Sequence, residues 1–134
     1  MIITDLWLDD DPQRKPPSFS DCGLHWTWVK NYEEAIEALK TGTTEFASLD
    51  HDLCDTHYFA FFLTEQTGQP LDTSMCKEKT GYDVLLWIQE NNFWPKAGIR
   101  IHTMNTVRKP IMLAMVEEHY NRTFQYQYKS THLV

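Results

Sequence analysis

One stretch of this sequence decides the fold, and it reads Phe46-Ala47-Ser48-Leu49-Asp50-His51-Asp52. A short apolar run that stops abruptly at charged residues is typical of a buried strand whose carboxyl end opens into a loop. The pattern recurs where Leu6-Trp7-Leu8 meets Asp9-Asp10-Asp11, and again where a strand at 99–103 ends in His102 and Thr103, with Asn105 beyond. Polar side chains therefore follow three predicted strands.

The remaining elements follow from capping and periodicity. Helices are predicted from Asn31 to about Gly42, over 80–92, and onward from Pro110, because each has a suitable start and an apolar face. Further strands are predicted at 25–29 and, from its alternating pattern, at 123–128. Residues 54–79 hold no clear single element apart from a possible short helix at 58–63, so we expect a long loop or insert there.

Strands that alternate with helices predict an α/β fold. We expect one domain over residues 1–134, with about five mainly parallel strands and helices on both faces of the sheet. Ligands of such sheets bind outside the carboxyl ends of the strands, where the chain order reverses. The acids and histidines at the predicted strand ends are therefore expected to converge in space.

Composition excludes several classes of protein. With 42% apolar residues the 134-residue chain has enough apolar side chains for a core, and its formal charge of −7 argues against binding extended duplex nucleic acid through clustered cations. A small anionic substrate stays possible if the site holds a cation. The three widely spaced cysteines, the lack of a basic leader and the lack of a long apolar run predict a cytoplasmic protein without a membrane partner.

The acids at the strand ends resemble a hard-cation site. Carboxylates within a few ångströms of one another either share a proton or recruit a divalent cation, so Asp9, Asp10 and Asp50, with support from Asp52, are predicted to hold Mg²⁺ or Mn²⁺. The alternative is that Asp9 and Asp11 are ordinary loop acids and that Asp10 caps a turn.

Histidine and arginine residues near these acids suggest proton transfer and phosphate binding. His102 is the first candidate for general acid or base and His51 the second, although a lone histidine at a strand end is often structural. Arg14 and Arg108 are predicted to contact a phosphate. Thr103 and Asn105, beside His102, complete the predicted substrate-binding set.

Five motifs in this order resemble the cyclic-phosphate-processing receiver-like domain family, a relative of the response-regulator receiver fold. They are Leu6-Trp7-Leu8-Asp9-Asp10, Trp28-Val29-Lys30-Asn31 leading into Glu34-Ala35-Ile36, Ser48-Leu49-Asp50-His51-Asp52-Leu53, Thr80-Gly81-Tyr82-Asp83-Val84-Leu85 and Ile101-His102-Thr103-Met104-Asn105. The resemblance implies a receiver-like (flavodoxin-like) three-layer sandwich. It also implies that Asp9, Asp10 and Asp50 surround a magnesium ion, and that the substrate is a cyclic phosphate on a nucleotide or an RNA end.

Three hypotheses for function follow. The first is a metal-assisted phosphodiesterase that hydrolyses a small cyclic phosphate, with Asp50, His102 and His51 as catalytic residues. The second is a non-catalytic module that binds a cyclic nucleotide or another phosphorylated ligand. The third is a pseudo-receiver that makes protein contacts, with the aromatic residues Phe59, Phe61 and Phe62 as its candidate surface.

Overall fold

The computed structural model describes residues 3–17, 25–72 and 76–132, without the side chains of Asp55 and of residues 123–132. Its strands and helices, in chain order, are β1 (Thr4–Leu8), β2 (His25–Val29), α1 (Tyr32–Lys40), β3 (Thr44–Leu49), α2 (Asp55–Thr67), α3 (Gly81–Asn91), β4 (Gly98–Ile101) and α4 (Lys109–His132). Among the described residues, no helix is both long and apolar enough to span a bilayer.

The strands form one parallel sheet in the order β2-β1-β3-β4, which confirms the predicted α/β class. The chain leaves β1 toward β2 on one side and later returns to place β3 on the other side. The chain order therefore reverses between β1 and β3, and ligands of open α/β sheets bind outside the carboxyl ends of the strands at such a point. Leu8 and Leu49 are paired in register at that end, so Asp9 and Asp50 emerge side by side.

One face of the sheet carries the main apolar core. Leu6 and Leu8 alternate with Trp7 along β1, and they belong to a buried cluster with residues of α1, α3 and α4. From the helices this cluster takes Ala35, Leu39, Val84, Leu85, Ile88, Met112 and Val116, all of which are at most 7% exposed.

The opposite face carries aromatic residues. Trp26 of β2 packs edge-on against Trp7 of β1 and Phe46 of β3. The Trp7 indole N–H donates to the Arg14 carbonyl at 3.0 Å, and the Trp28 indole N–H donates to the Asp9 carbonyl at 2.9 Å. These two hydrogen bonds attach the loop that follows β1 to the sheet.

The predicted strand at 123–128 is wrong, because the backbone there lies within α4. The alternation that suggested a strand covers only six residues, and neither glycine nor proline interrupts the chain after Pro110. The segment therefore contains no residue that would end a helix. Adding a residue to an existing helix also costs less free energy than starting a new element. The described sheet therefore has four strands, not about five.

The predicted long loop at 54–79 contains a regular helix. The short helix predicted at 58–63 is present but extends over Asp55–Thr67, and Gly68, with φ of 72°, follows its end. The buried imidazole of His57 accepts from the Leu53 N–H at 2.9 Å and donates to the Glu78 carbonyl at 2.7 Å. The two ends of this insert are thus joined by one side chain.

The predicted start of α3 is confirmed. The Thr80 hydroxyl accepts from the Asp83 N–H at 3.3 Å and the Asp83 carboxylate accepts from the Thr80 N–H at 2.8 Å, which is a capping box. Gly81 then packs directly on the loop after β3, where its N–H donates to the His51 carbonyl at 2.9 Å. A Cβ at this position would lie 1.7 Å from the Asp50 carbonyl oxygen.

We expect Gly81→Ala to destabilise the protein by about 1–3 kcal/mol or more, because the methyl group forces α3 away from the Asp50 backbone. Gly42→Ala is the control, since nothing lies within 4 Å of its Cβ and only its φ of 73° opposes the change. Urea unfolding of both variants measures the difference. Equal losses of unfolding free energy in the two variants would contradict the close approach of Gly81 to the Asp50 backbone.

Candidate functional site

Backbone hydrogen bonds continue the sheet one residue past each strand. The Asp9 N–H donates to the Val29 carbonyl at 3.1 Å, the Asp50 N–H to Leu8 at 3.0 Å and the His102 N–H to Leu49 at 2.9 Å. The first residue beyond each of β1, β3 and β4 is therefore held almost as firmly as the strand itself. These residues are Asp9, Asp50 and His102, three of the predicted site residues.

Three carboxylates meet at this edge. Asp9, Asp10 and Asp50 each offer an oxygen within 4.8 Å of the other two, and Asp9 and Asp50 are 0% and 2% exposed. Carboxylate oxygens are the ligands that Mg²⁺ and Mn²⁺ prefer, so the donor chemistry fits the predicted cation. Asp52 is not a member of this group.

Arg14 lies over the three acids. Its Nε donates to Asp9 Oδ2 at 2.8 Å, and its Nη2 donates to Asp9 Oδ1 at 3.1 Å and to Asp50 Oδ2 at 3.0 Å. The same Nη2 contacts the Tyr58 hydroxyl, which in turn donates to Asp10 Oδ1 at 3.2 Å. Arg14, predicted as a phosphate ligand, is therefore the counter-ion of the cluster in this structure.

The two buried acids differ in their electrostatics. Burial raises the pKa of Asp50 to about 7, and the negative charge of Asp9 adds to this effect. Burial also opposes ionisation of Asp9, but hydrogen bonds from His102 and Arg14 outweigh it and hold the Asp9 pKa below its ordinary value. Burial likewise raises the pKa of Asp10. Asp9 is therefore the member of the cluster whose surroundings lower the pKa, whereas those of Asp10 and Asp50 raise it.

His102 is fixed by contacts on two edges and one face of its ring. Nε2 donates to Asp9 Oδ2 at 3.0 Å, Nδ1 lies 2.7 Å from the Ser48 hydroxyl, and the ring stacks on Trp7 with centroids 4.1 Å apart. With Nε2 donating to Asp9, Nδ1 is the ring atom that bonds to the Ser48 hydroxyl. The structure therefore brings His102 to the carboxylates, as the strand-end pattern predicts.

His51, Asp52 and Asn105 form a second buried group beside the first. His51 Nδ1 donates to Asp52 Oδ1 at 2.8 Å, and the Asn105 amide N–H donates to the Asp52 oxygens at 3.3 and 3.4 Å. Asn105 Oδ1 accepts from the Val107 and Arg108 N–H groups at the start of α4. This group connects the loop after β3 to the loop after β4, and the Asp52 and Asn105 side chains bond within it and not toward the three carboxylates. His51 Nε2 is buried without a hydrogen-bond partner among the described residues.

The other two predicted substrate ligands lie in different surroundings. Thr103 is 8% exposed, and its hydroxyl hydrogen-bonds to Asp50 and accepts from the Asn105 N–H at 3.2 Å. Arg108 stacks on the Tyr82 ring, with its guanidinium carbon 4.7 Å from the ring centroid. Thr103 therefore belongs to the acid cluster, whereas Arg108 is held by an aromatic face on α3.

Sequence reasoning missed three residues that shape the site. Trp7 and Ser48 lie on the sheet face opposite the main core, and strand alternation would have placed them with His102. Tyr58 had no such signal, because it comes from α2 in the segment expected to be a loop. Its position depends on how α2 folds back over the strand ends.

Comparison with protein families identifies one match. The family model described as Cyclic-phosphate processing Receiver domain matches residues 4–118, which includes all four strands and the three carboxylates. Comparison with curated proteins finds no match, and comparison with solved structures finds none either. The match confirms the family resemblance on which the receiver-like fold was predicted.

With a chelator present, we expect the free energy of unfolding to fall as pH rises from about 5 toward 8. The Asp50 pKa is about 7 in the folded protein and near its ordinary value of 3.8 in the unfolded chain. Between these values the folded protein holds a proton that the unfolded chain has lost, so raising the pH costs about 1.4 kcal/mol per unit or less from this group.

Asp50→Asn is the matched variant, because it cannot ionise. Its free energy of unfolding should change less with pH than that of the wild type, and it should be higher than the wild-type value at pH 8. Urea unfolding at several pH values measures both. A wild type that is more stable at pH 8 than at pH 5.5 in chelator contradicts the expected repulsion in the cluster.

Proposed function

This chain belongs to the family of cyclic-phosphate processing receiver domains, and on that basis we propose that it is a metal-assisted phosphodiesterase. Its substrate in this proposal is a cyclic phosphate on a nucleotide or an RNA end. The observation that carries the proposal is the group of three carboxylate oxygens from Asp9, Asp10 and Asp50, within 4.8 Å of one another at adjacent strand ends. A divalent cation at such a site neutralises phosphate charge and activates water, so it can support hydrolysis without a nucleophilic side chain.

In this proposal Asp9, Asp10 and Asp50 hold Mg²⁺ or Mn²⁺. A bound divalent ion supplies positive charge that neutralises the phosphate oxygens and helps to ionise or orient water. Asp50 keeps its place because Thr103 and the backbone N–H of His51 bond to its carboxylate. Asp52 supports the site indirectly, by tying the loop after β3 to Asn105.

Hydrolysis requires that a water oxygen bonds to phosphorus while one ring P–O bond breaks. The departing sugar oxygen then takes up a proton, and the attacking water gives one up. We assign the proton transfer to the leaving oxygen to Nε2 of His102, which faces the carboxylates and bonds to Asp9. The ring gives up this proton from its imidazolium form, and the neutral ring that results takes up the proton released by the attacking water. Ser48 at Nδ1 and the stacked Trp7 orient the ring for this transfer.

Binding of the substrate falls to residues around this centre. Arg14 and Thr103 lie against the acids, and Arg108 is the next arginine along the chain after the β4 end. A guanidinium binds two phosphate oxygens at once, which suits Arg14 and Arg108. His51 and Asn105 serve as positioning residues in this scheme, because their side chains bond to Asp52.

A second candidate function is protein binding through α2. This helix exposes Phe59, Phe62 and Leu63, at 62%, 54% and 44%. Exposed apolar residues grouped on one helix favour a protein contact, which is the pseudo-receiver alternative. The remaining alternative is a module that binds the ligand without turnover. Phosphorus NMR separates this alternative from the enzyme.

Phosphorus NMR with nucleoside 2′,3′-cyclic phosphates tests the enzyme. We expect conversion to a monoester with Mg²⁺ or Mn²⁺ and no conversion with chelator. Asp50→Asn should lose turnover while its circular dichroism stays native, and Glu37→Gln, which removes an exposed acid on α1, should retain turnover. Broadening of one ligand's signal without conversion would reassign the protein as a binding module.

His102→Gln should lower the rate by about 10²–10⁴-fold, the usual contribution of a positioned general acid or base. His25→Gln is the control, since His25 is exposed at the amino end of β2. Steady-state rates with Mn²⁺ measure both variants. A His102→Gln rate within a factor of two of the wild type would remove His102 from the chemistry.

A further inference from the structure

The Asp9 carboxylate has no acceptor position left for a cation. Its Oδ1 accepts from the Asp11 N–H at 2.9 Å and from Arg14 Nη2 at 3.1 Å, and its Oδ2 accepts from Arg14 Nε at 2.8 Å and from His102 Nε2 at 3.0 Å. A carboxylate has about four lone-pair positions, and all four are in use here. A metal ion that binds Asp9 must therefore displace one of these donors.

Arg14 is the donor best able to leave. The Asp11 donor is a backbone N–H in the same loop, and the His102 ring is held between Ser48 and Trp7. The Arg14 side chain is 34% exposed, and it carries the charge that a metal ion would repel. Asp50 Oδ2 also accepts from Arg14, so departure of this one side chain opens two of the three carboxylates together.

We propose that the Arg14 guanidinium and a divalent cation exchange on Asp9 and Asp50, and that the released guanidinium then binds the substrate's phosphate. The inference rests on the proposed metal-dependent function, and it adds a competition between Arg14 and the metal. The Arg14 backbone stays in place during the exchange, because its carbonyl accepts from the Trp7 indole N–H at 3.0 Å. Only the side chain has to turn.

Arg14 thereby has two roles that exclude each other. Without metal it neutralises the buried charge of the cluster, and with metal it becomes free to make paired hydrogen bonds to phosphate oxygens. The phosphate-binding group is therefore available only when the metal is present. By thermodynamic linkage, a phosphate that binds the released Arg14 also raises the affinity for the metal.

The exchange predicts the direction in which the Mn²⁺ affinity changes when Arg14 is replaced. We expect Arg14→Met to bind Mn²⁺ about tenfold or more tightly than the wild type, because charge-assisted hydrogen bonds no longer compete. Lys15→Met removes the same charge from the exposed neighbouring residue and should change the affinity less than about twofold. Free Mn²⁺ measured by electron paramagnetic resonance gives all three constants, and circular dichroism verifies folding.

Weaker or unchanged Mn²⁺ binding by Arg14→Met would overturn the exchange while leaving a metal-dependent enzyme possible. No Mn²⁺ binding by the wild type and both variants would reject the metal-assisted function and the exchange with it. The two failures are therefore distinguishable.

The wild type provides a test that needs no variant to fold. In nitrogen NMR, the Arg14 Nε–H signal should be protected from exchange in chelator, lose that protection with Mg²⁺, and shift again when inorganic phosphate is added. The exchange is contradicted if Mg²⁺ shifts the amides of Asp9 and Asp50 while the Arg14 signal keeps its protection.

Discussion

The ionised carboxylate of Asp9, buried at the carboxyl end of β1, is the constraint on which the site depends. An unpaired charge in this position would be strongly destabilising. Four donors surround it, from the Asp11 backbone, from two nitrogens of Arg14 and from His102. These partners lie on the loop after β1 and at the end of β4, so one carboxylate fixes the position of that loop relative to the end of β4.

The rest of the site is arranged around that charge. Asp50 lies beside Asp9 because β1 and β3 are neighbours, and burial, with a further contribution from repulsion by Asp9, raises the pKa of Asp50 to about 7. Asp52 remains apart because His51 and Asn105 bind it within the protein. The loop after β3 therefore contributes Asp50 to the acid cluster. Its second acid, Asp52, binds Asn105 in the loop that precedes α4.

Much of this arrangement was predictable from local patterns. The strands at 25–29 and 46–49, the caps at Asn31 and Thr80, and the convergence of Asp9, Asp50 and His102 follow from hydrophobic runs and from the geometry of parallel sheets. The error at 123–128 arose because a six-residue alternation does not distinguish a strand from a continuing helix. Tyr58 was missed because nothing local shows that α2 folds back over the acids.

The sequence by itself determined the strands, the helix starts and the presence of polar residues at three strand ends, because periodicity and capping act over a few neighbouring residues. Tertiary structure alone decided how those polar residues pair. Arg14 is far in sequence from Asp50 and Tyr58, yet it contacts both, and Asp52 pairs with Asn105 and not with Asp50. Such choices depend on which partner best compensates a buried charge, and that is settled only when the strands and α2 are packed together.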